Sequence, residues 1–114
     1  MELTLTHEPG YSLTCLHGVL DEAAEERFRE YLHPLVRTRG TKLVVDLSGV
    51  PRVTSSGISQ LVLLVTNAHT NNSRVVLLGA TPFVAGVLSV TKLDRFFEQA
   101  NSLSQALDLL SVTS

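Results

Sequence analysis

Leu3 and Leu5 alternate with Thr4 and Thr6, the two-residue period of a strand whose faces differ. Pro9-Gly10 follows. Proline presets the first central position of a turn and glycine accepts a positive φ at the second, so the pair predicts a type II turn. Tyr11, Leu13 and Cys15 then alternate with Ser12, Thr14 and Leu16, and the two runs make a predicted hairpin. The period changes after that. Phe28, Tyr31, Leu32, Leu35 and Val36 fall at i, i+3, i+4, i+7 and i+8, one apolar stripe on a helix predicted from Asp21 to about Val36. Asp21 is placed to cap it, and Glu22, Glu25 and Glu26 crowd its first turn, where the helix dipole favours negative charge. Arg37 and Arg39 sit near its end and Gly40 stops it.

Leu43–Leu47 (LVVDL) is an apolar run broken by one aspartate, the pattern of a central strand covered on both faces. The loop SGVPRVTSS leads to Gly57, and from Ile58 the residues Leu61, Val62, Leu64, Val65 and Ala68 repeat at helical spacing until Asn71-Asn72. Val75–Leu78 is a second buried strand closed by Gly79. Thr81-Pro82 offers a capping hydroxyl and a proline at the first helical position, opening a helix with Phe83, Val84, Val87 and Leu88 on its apolar face. Phe96 and Phe97 are expected on a short last strand. Ser102 and Gln105 have capping-box spacing before a final helix with Leu103, Ala106, Leu107 and Leu110 inward. The order β-β-α-β-α-β-α-β-α predicts an α/β domain: a mixed, largely parallel sheet with right-handed crossovers and about four helices, in a single domain over residues 1–114.

Composition narrows the function classes. With 44% hydrophobic and 18% charged residues the chain is globular rather than disordered. A net charge of −2, with nine scattered Lys and Arg, leaves no basic face for nucleic acid. Cys15 has no second cysteine to pair with, which fits a reducing, cytoplasmic setting, and it reads as a small hydrophobe on a strand. The N-terminus lacks the pattern of a signal peptide, and no apolar run approaches the ~20 residues of a membrane span, so no direct membrane insertion is expected. His7, His17, His33 and His69 show no metal-ligand spacing and read as surface or sheet-edge residues. P-loop and nucleophile-elbow patterns are absent from the sequence, and no serine is matched with a histidine and an acid. The chain is therefore expected to carry no catalytic residue, metal or cofactor of its own.

Chemistry concentrates between Asp46 and Gly57, beyond the carboxyl end of a buried strand, where open α/β sheets place their sites. Asp46, Ser48, Thr54, Ser55 and Ser56 lie there, ahead of a helix N-terminus with unpaired N–H groups and partial positive charge. Two readings stand for the hydroxyls: one of them caps the helix, or Ser56 carries a phosphate that the helix end tolerates and a docked partner does not.

The stretch LVVDLSGVPRVTSSGI (43–58) resembles the strand, DLSGV loop and D-S-S-G helix start of anti-sigma factor antagonists of the STAS domain family. GVLDEA at 18–23 resembles that family's G-x-L-D segment. VVLLGATPFVAGVLSVTKLDRFFEQANSLSQAL at 75–107 resembles its C-terminal half, so the likeness spans almost the whole chain. The resemblance implies a STAS-like fold and a cytoplasmic switch protein rather than an enzyme. In such proteins a partner serine kinase, which is also the anti-sigma factor, transfers phosphate from its own ATP-Mg to the serine before the glycine, here Ser56, with Thr54 and Ser55 as alternates. The unphosphorylated form binds the kinase and frees the sigma factor; a serine phosphatase restores it. The resemblance places Asp21 and Asp46 beside that serine, with Ser48 of the same loop as a further flanking residue, and gives Thr54, Ser55, Ser56, Gly57, Ile58 and Ser59 to the partner surface. Thr54 stands where the family usually has an acidic residue, and Ser59 where many relatives have glycine. Those departures also suit two alternatives: a subunit of a lipid-transport (ABC-type) complex, or a stress-signalling scaffold.

Overall fold

The computed structural model describes residues 1–112. Its element order is β1 (Glu2–Glu8), β2 (Tyr11–His17), α1 (Ala24–Arg27), a π-helical turn (Phe28–Leu32), α2 (His33–Arg37), β3 (Lys42–Gly49), α3 (Ser55–Thr70), β4 (Arg74–Leu78), α4 (Pro82–Val90), β5 (Glu98–Ala100) and α5 (Leu103–Leu109). The five strands lie in sequence order in one sheet. β1 pairs antiparallel with β2, from Glu2↔His17 to Glu8↔Tyr11 across the Pro9-Gly10 turn, where Gly10 takes the expected positive φ of 85°. β2 to β5 pair in parallel.

Sequential parallel strands joined by crossovers of one hand put every crossover helix on one face. That face holds the main core: Leu16, Leu43, Val45, Leu47, Val75 and Leu77 of the sheet meet Ala24, Phe28, Leu32 and Val36, then Leu61, Leu64, Val65 and Ala68 of α3, then Val84 and Leu88 of α4. Among the described residues the opposite face is covered by α5 and the turn that ends it, with Ala106 and Leu110 against Val44, Val76 and Ala100. β3 is thus buried on both faces, as its apolar run predicts.

The amphipathic stripes are right in position but not always in face. In β2 it is Ser12, Thr14 and Leu16 that are buried, while Tyr11, Leu13 and Cys15 are half-buried on the α5 side. The two buried hydroxyls are satisfied locally: Thr14 Oγ1 donates to the Thr4 carbonyl (2.8 Å) and Ser12 Oγ meets His7 Nδ1 (2.8 Å). Tyr31, Phe83 and Leu103, expected inward, are exposed. Phe96 and Phe97 precede β5 in a turn, packed edge to face at 5.0 Å, and only Phe97 is buried. The Ser102–Gln105 box forms with one change. Ser102 Oγ accepts from Gln105 N (3.1 Å), but the glutamine amide oxygen accepts from Asn101 N (2.8 Å), one residue earlier than the usual box. Thr81 is the N-cap of α4 by position, yet its hydroxyl donates to the Val50 carbonyl (2.8 Å) and ties the helix start to the loop after β3.

The first helix is not the single α-helix that its periodicity suggests. Pro34 lacks an N–H, and its ring would crowd the carbonyl four residues back. The chain responds with the π-helical turn just before it, in which His33 N–H bonds to the Phe28 carbonyl. Asp21 does not cap by the ordinary route either; its Oδ1 accepts from Ala23 N (3.0 Å) in a turn ahead of α1.

Helix α3 docks through its first turn. Leu20 and Val53 form an isolated parallel bridge, and Gly57 packs on it so closely that a Cβ there would run into the Leu20 carbonyl oxygen, with Leu20 C at 2.7 Å and Val53 Cγ2 at 2.9 Å. A Cβ at Gly86, in α4, would meet nothing within 4 Å. Gly57→Ala is therefore expected to destabilise by about 1–3 kcal/mol, the range for overpacking a tight site. Gly86→Ala should stabilise by up to about 1 kcal/mol through helix propensity. Urea unfolding of both checks this, and equal effects at the two glycines would refute it.

His33 is also displaced from expectation: it is buried, at 4% exposure, between the first helices and α3. Burial, and secondarily the Arg37 charge, pushes its pKa below the usual histidine value. The unfolded chain therefore binds the proton more readily, so this contribution to stability is complete above about pH 6.5 and declines as pH falls toward the lowered folded pKa. The urea midpoint should fall between about pH 7.5 and 5.5, and His33→Gln should fall less over the same interval. Parallel pH profiles for the two proteins would refute the assignment.

Candidate functional site

The site is the N-terminal end of α3 and the loop that delivers it. Main-chain bonds fix the loop: Gly18 N to the Gly49 carbonyl (3.0 Å), Leu20 N to the Arg52 carbonyl (3.1 Å) and Thr54 N to the Leu20 carbonyl (3.0 Å). Thr54 is the N-cap. Its extended backbone feeds the helix, its Oγ1 accepts from Gly57 N (3.2 Å), and its hydroxyl leans on the Leu20 carbonyl (3.5 Å). Of the two readings of the loop hydroxyls, capping therefore falls to Thr54. Ser55 and Ser56 occupy the first helical turn and are exposed. Their N–H groups are among those an α-helix leaves without an intrahelical partner. Among the described residues the Ser56 hydroxyl has no side-chain hydrogen bond, whereas Ser59 Oγ donates back to the Ser55 carbonyl (3.0 Å).

The structure divides the residues expected at this site. Thr54, Ser55, Ser56 and Ser59 form one exposed surface. Gly57 and Ile58, expected on the partner surface, are buried: Gly57 against Leu20, and Ile58 in the main core. Asp21 adjoins the site through Leu20, with its carboxylate engaged at Ala23. Asp46 and Ser48 belong elsewhere. The strand pleat puts the Asp46 side chain on the same face as Val44, the α5 face, while α3 lies on the other. There Asp46 Oδ1 accepts from Ser48 N (2.9 Å) and Oδ2 accepts from the Cys15 thiol (3.8 Å). Burial first, and the Asp46 charge second, raise the Cys15 pKa, which keeps the thiol protonated and unreactive.

Two features of the surface were not legible from the loop alone. Phe83 at the start of α4 is 48% exposed, and the Arg52 guanidinium lies over its ring at 5.9 Å. Proline and threonine mark a helix start but do not say which way the next ring points. Val19, beside Leu20, is also exposed. No described helix is long and apolar enough to cross a membrane.

The cap assignment yields a direct expectation. Thr54→Val removes the acceptor for Gly57 N and should cost about 1 kcal/mol of stability, whereas Thr54→Asp keeps an acceptor and should be neutral or stabilising. Chemical unfolding of the two variants distinguishes them, and a neutral valine would exclude Thr54 as the working cap.

BtrV of Bordetella bronchiseptica, named as an anti-sigma factor antagonist, is 26% identical over 106 residues, covering 93% of this chain and 91% of its own. A variant of Moorella thermoacetica RsbS carrying glutamate in place of a serine superposes with a TM-score of 0.80 at 26% identity, over 96% of its chain and 97% of this one. The Bacillus anti-sigma factor antagonist SpoIIAA shares the fold, with a TM-score of 0.77 in its unphosphorylated form (17% identity; 99% of this chain, 100% of that one) and 0.71 in its phosphorylated form (18%; 96% and 99%). The family described as "Mlab, STAS domain" matches residues 11–109. With that match spanning most of the sheet and all the helices, the chain belongs to the STAS domain family.

Proposed function

We propose that this chain is an anti-sigma factor antagonist: a cytoplasmic, non-enzymatic binding module switched by phosphorylation of Ser56. The observation that carries this reading is the division of labour in the first turn of α3. Thr54 is committed to the cap, while Ser56 presents a hydroxyl free of side-chain hydrogen bonds on an exposed turn. BtrV bears the antagonist name, and SpoIIAA exists in a phosphorylated form. Together they supply the precedent for such a role.

The physics of the switch is local. The unphosphorylated turn offers a partner, an anti-sigma factor that is also a serine kinase, a neutral exposed surface of Ser55, Ser56 and Ser59. A phosphate on Ser56 adds about −1.5 to −2 charge and three acceptor oxygens. The free N–H groups of the helix end and its partial positive charge stabilise that group in the folded domain. A partner surface packed against the same turn would have to bury it, which is costly without a compensating cation. Phosphorylation thus releases the partner while leaving the fold intact, and a serine phosphatase resets the switch. The Thr54 hydroxyl, held against Leu20 and Gly57, is a poorer acceptor than that of Ser56; Ser55 is the exposed alternate.

A second reading, a structural subunit of a lipid-transport complex using the same turn, is favoured by an uncharged cap where the antagonist pattern has an acid. One experiment separates the two. Wild-type and Ser56→Glu proteins are used to capture partners from the source cell, with mass spectrometry of the partners and of the Thr54–Ser56 peptide. The switch predicts an ATP-binding kinase retained by wild type, reduced at least tenfold by Ser56→Glu, and phosphate on Ser56. Transport subunits retained equally by both proteins, with the peptide unmodified, would overturn it in favour of the second reading.

A further inference from the structure

Away from the α3 turn, a groove of about 140 Å³ lies between the first helices and α3, lined by Glu25, Arg29, His33, Arg37, Gln60, Leu63 and Asn67. Four of these residues form a stripe at strict four-residue spacing, Glu25, Arg29, His33 and Arg37. In a plain α-helix that spacing overshoots a full turn by about 40° each time, so the stripe would wander off one face. The π-helical turn Phe28–Leu32, imposed ahead of Pro34, has the wider turn that takes this drift back. The irregularity therefore keeps four side chains over one groove, and π turns recur at functional positions.

Two guanidinium groups and one imidazole line the groove against a single carboxylate, Glu25. Asn67 Nδ2 donates to His33 Nδ1 (3.0 Å), which sets the neutral tautomer with the proton on Nε2. The residue is buried at 4% exposure, but this N–H lines the groove and opens to solvent there, with no hydrogen-bond partner among the described residues. Exposed Arg29 and Arg37 flank it, with the Gln60 amide opposite. The charged groups facing His33 from its own helices are Glu25, Arg29 and Arg37, and α3 contributes none to the lining. Glu25 is engaged by Arg29 at 3.6 Å, which leaves Arg37 as the cation without a salt-bridge partner in the groove among the described residues. Leu63, 48% exposed, gives the groove an apolar wall.

We propose that this groove binds a small organic anion, a carboxylate or phosphate on a short apolar body, with the anionic group between Arg37 and His33 Nε2–H and the body against Leu63. The volume is close to that of a cavity that accommodates benzene, about 150 Å³, so the ligand has roughly a single ring or a short chain. The groove lies on a different part of the fold from Ser56, and the proposal does not depend on the switch. Binding places a negative charge beside His33 and favours its protonated form, in which the Asn67 amide turns to present Oδ1 to Nδ1–H.

The test is a histidine-ring NMR titration of the full chain with benzoate, and separately with inorganic phosphate, at constant ionic strength. Saturable shifts of the His33 ring and the Asn67 side-chain amide are expected with benzoate, with a Kd of about 1 mM or tighter. His7, His17 and His69 should stay unmoved. The His33 titration midpoint should rise with benzoate bound. Arg37→Gln, an exposed change that leaves the core untouched, should weaken binding at least tenfold, and Leu63→Ser should weaken benzoate more than phosphate. Shifts that fail to saturate by about 50 mM, that affect all four histidines alike, or that survive Arg37→Gln unchanged would overturn the proposal. Saturation by phosphate alone would overturn the apolar half of it.

Discussion

The contact on which the site depends is between backbones: the Leu20 carbonyl against the first turn of α3. It accepts from Thr54 N, lies against Gly57 Cα and receives the Thr54 hydroxyl. Leu20 N returns a bond to the Arg52 carbonyl, so a short parallel bridge extends the sheet's pairing beyond the ends of β2 and β3. This bridge sets the depth of the helix start. With Gly57 seated, Ile58 falls into the core and Ser55 and Ser56 face water. Because the contact is main chain to main chain, it leaves the side chains of the exposed turn free to vary while their position stays fixed.

The element order was readable in the sequence because strand and helix periods are local. The choice of face is not. Alternation in β2 says that two faces differ, and hydrophobicity nominates Tyr11, Leu13 and Cys15 for burial. The fold buries Ser12, Thr14 and Leu16 instead, since neighbouring β1 supplies hydrogen-bond partners that make buried hydroxyls tolerable. Pro34 was a visible sign of a helix irregularity, but its outcome, a π turn rather than a break, depends on the flanking stripe of Phe28, Leu32 and Val36 being held by the sheet. His33 is buried for the same reason: the widened turn rotates it toward α3.

The site was legible in part. The hydroxyl cluster before an apolar helix, and its resemblance to a known loop, pointed to a turn that the fold exposes at the start of α3. Proximity in sequence misled at Asp46 and Ser48, because the pleat of β3 sends Asp46 to the α5 face while the chain crosses over to start α3 on the other. The Arg52–Phe83 pair was invisible for a related reason. Its members are far apart in sequence and meet only because Thr81 ties the start of α4 to the Val50 carbonyl.

Thr54 has an electrostatic consequence of its own. A helix N-terminus carries roughly half a unit of positive charge, and an aspartate cap would more than offset it. A threonine caps the same N–H without doing so. The turn that holds Ser56 therefore keeps its full partial charge, and a phosphate placed there meets attraction from the helix end with no adjacent carboxylate from the cap to oppose it. The same neutrality removes a negative charge that could guide a cationic partner group to the hydroxyl. Under the proposed switch, an uncharged cap would shift the balance of the turn toward holding a phosphate and away from attracting a cationic group to deliver it, without altering the hydrogen bonds that define the helix start.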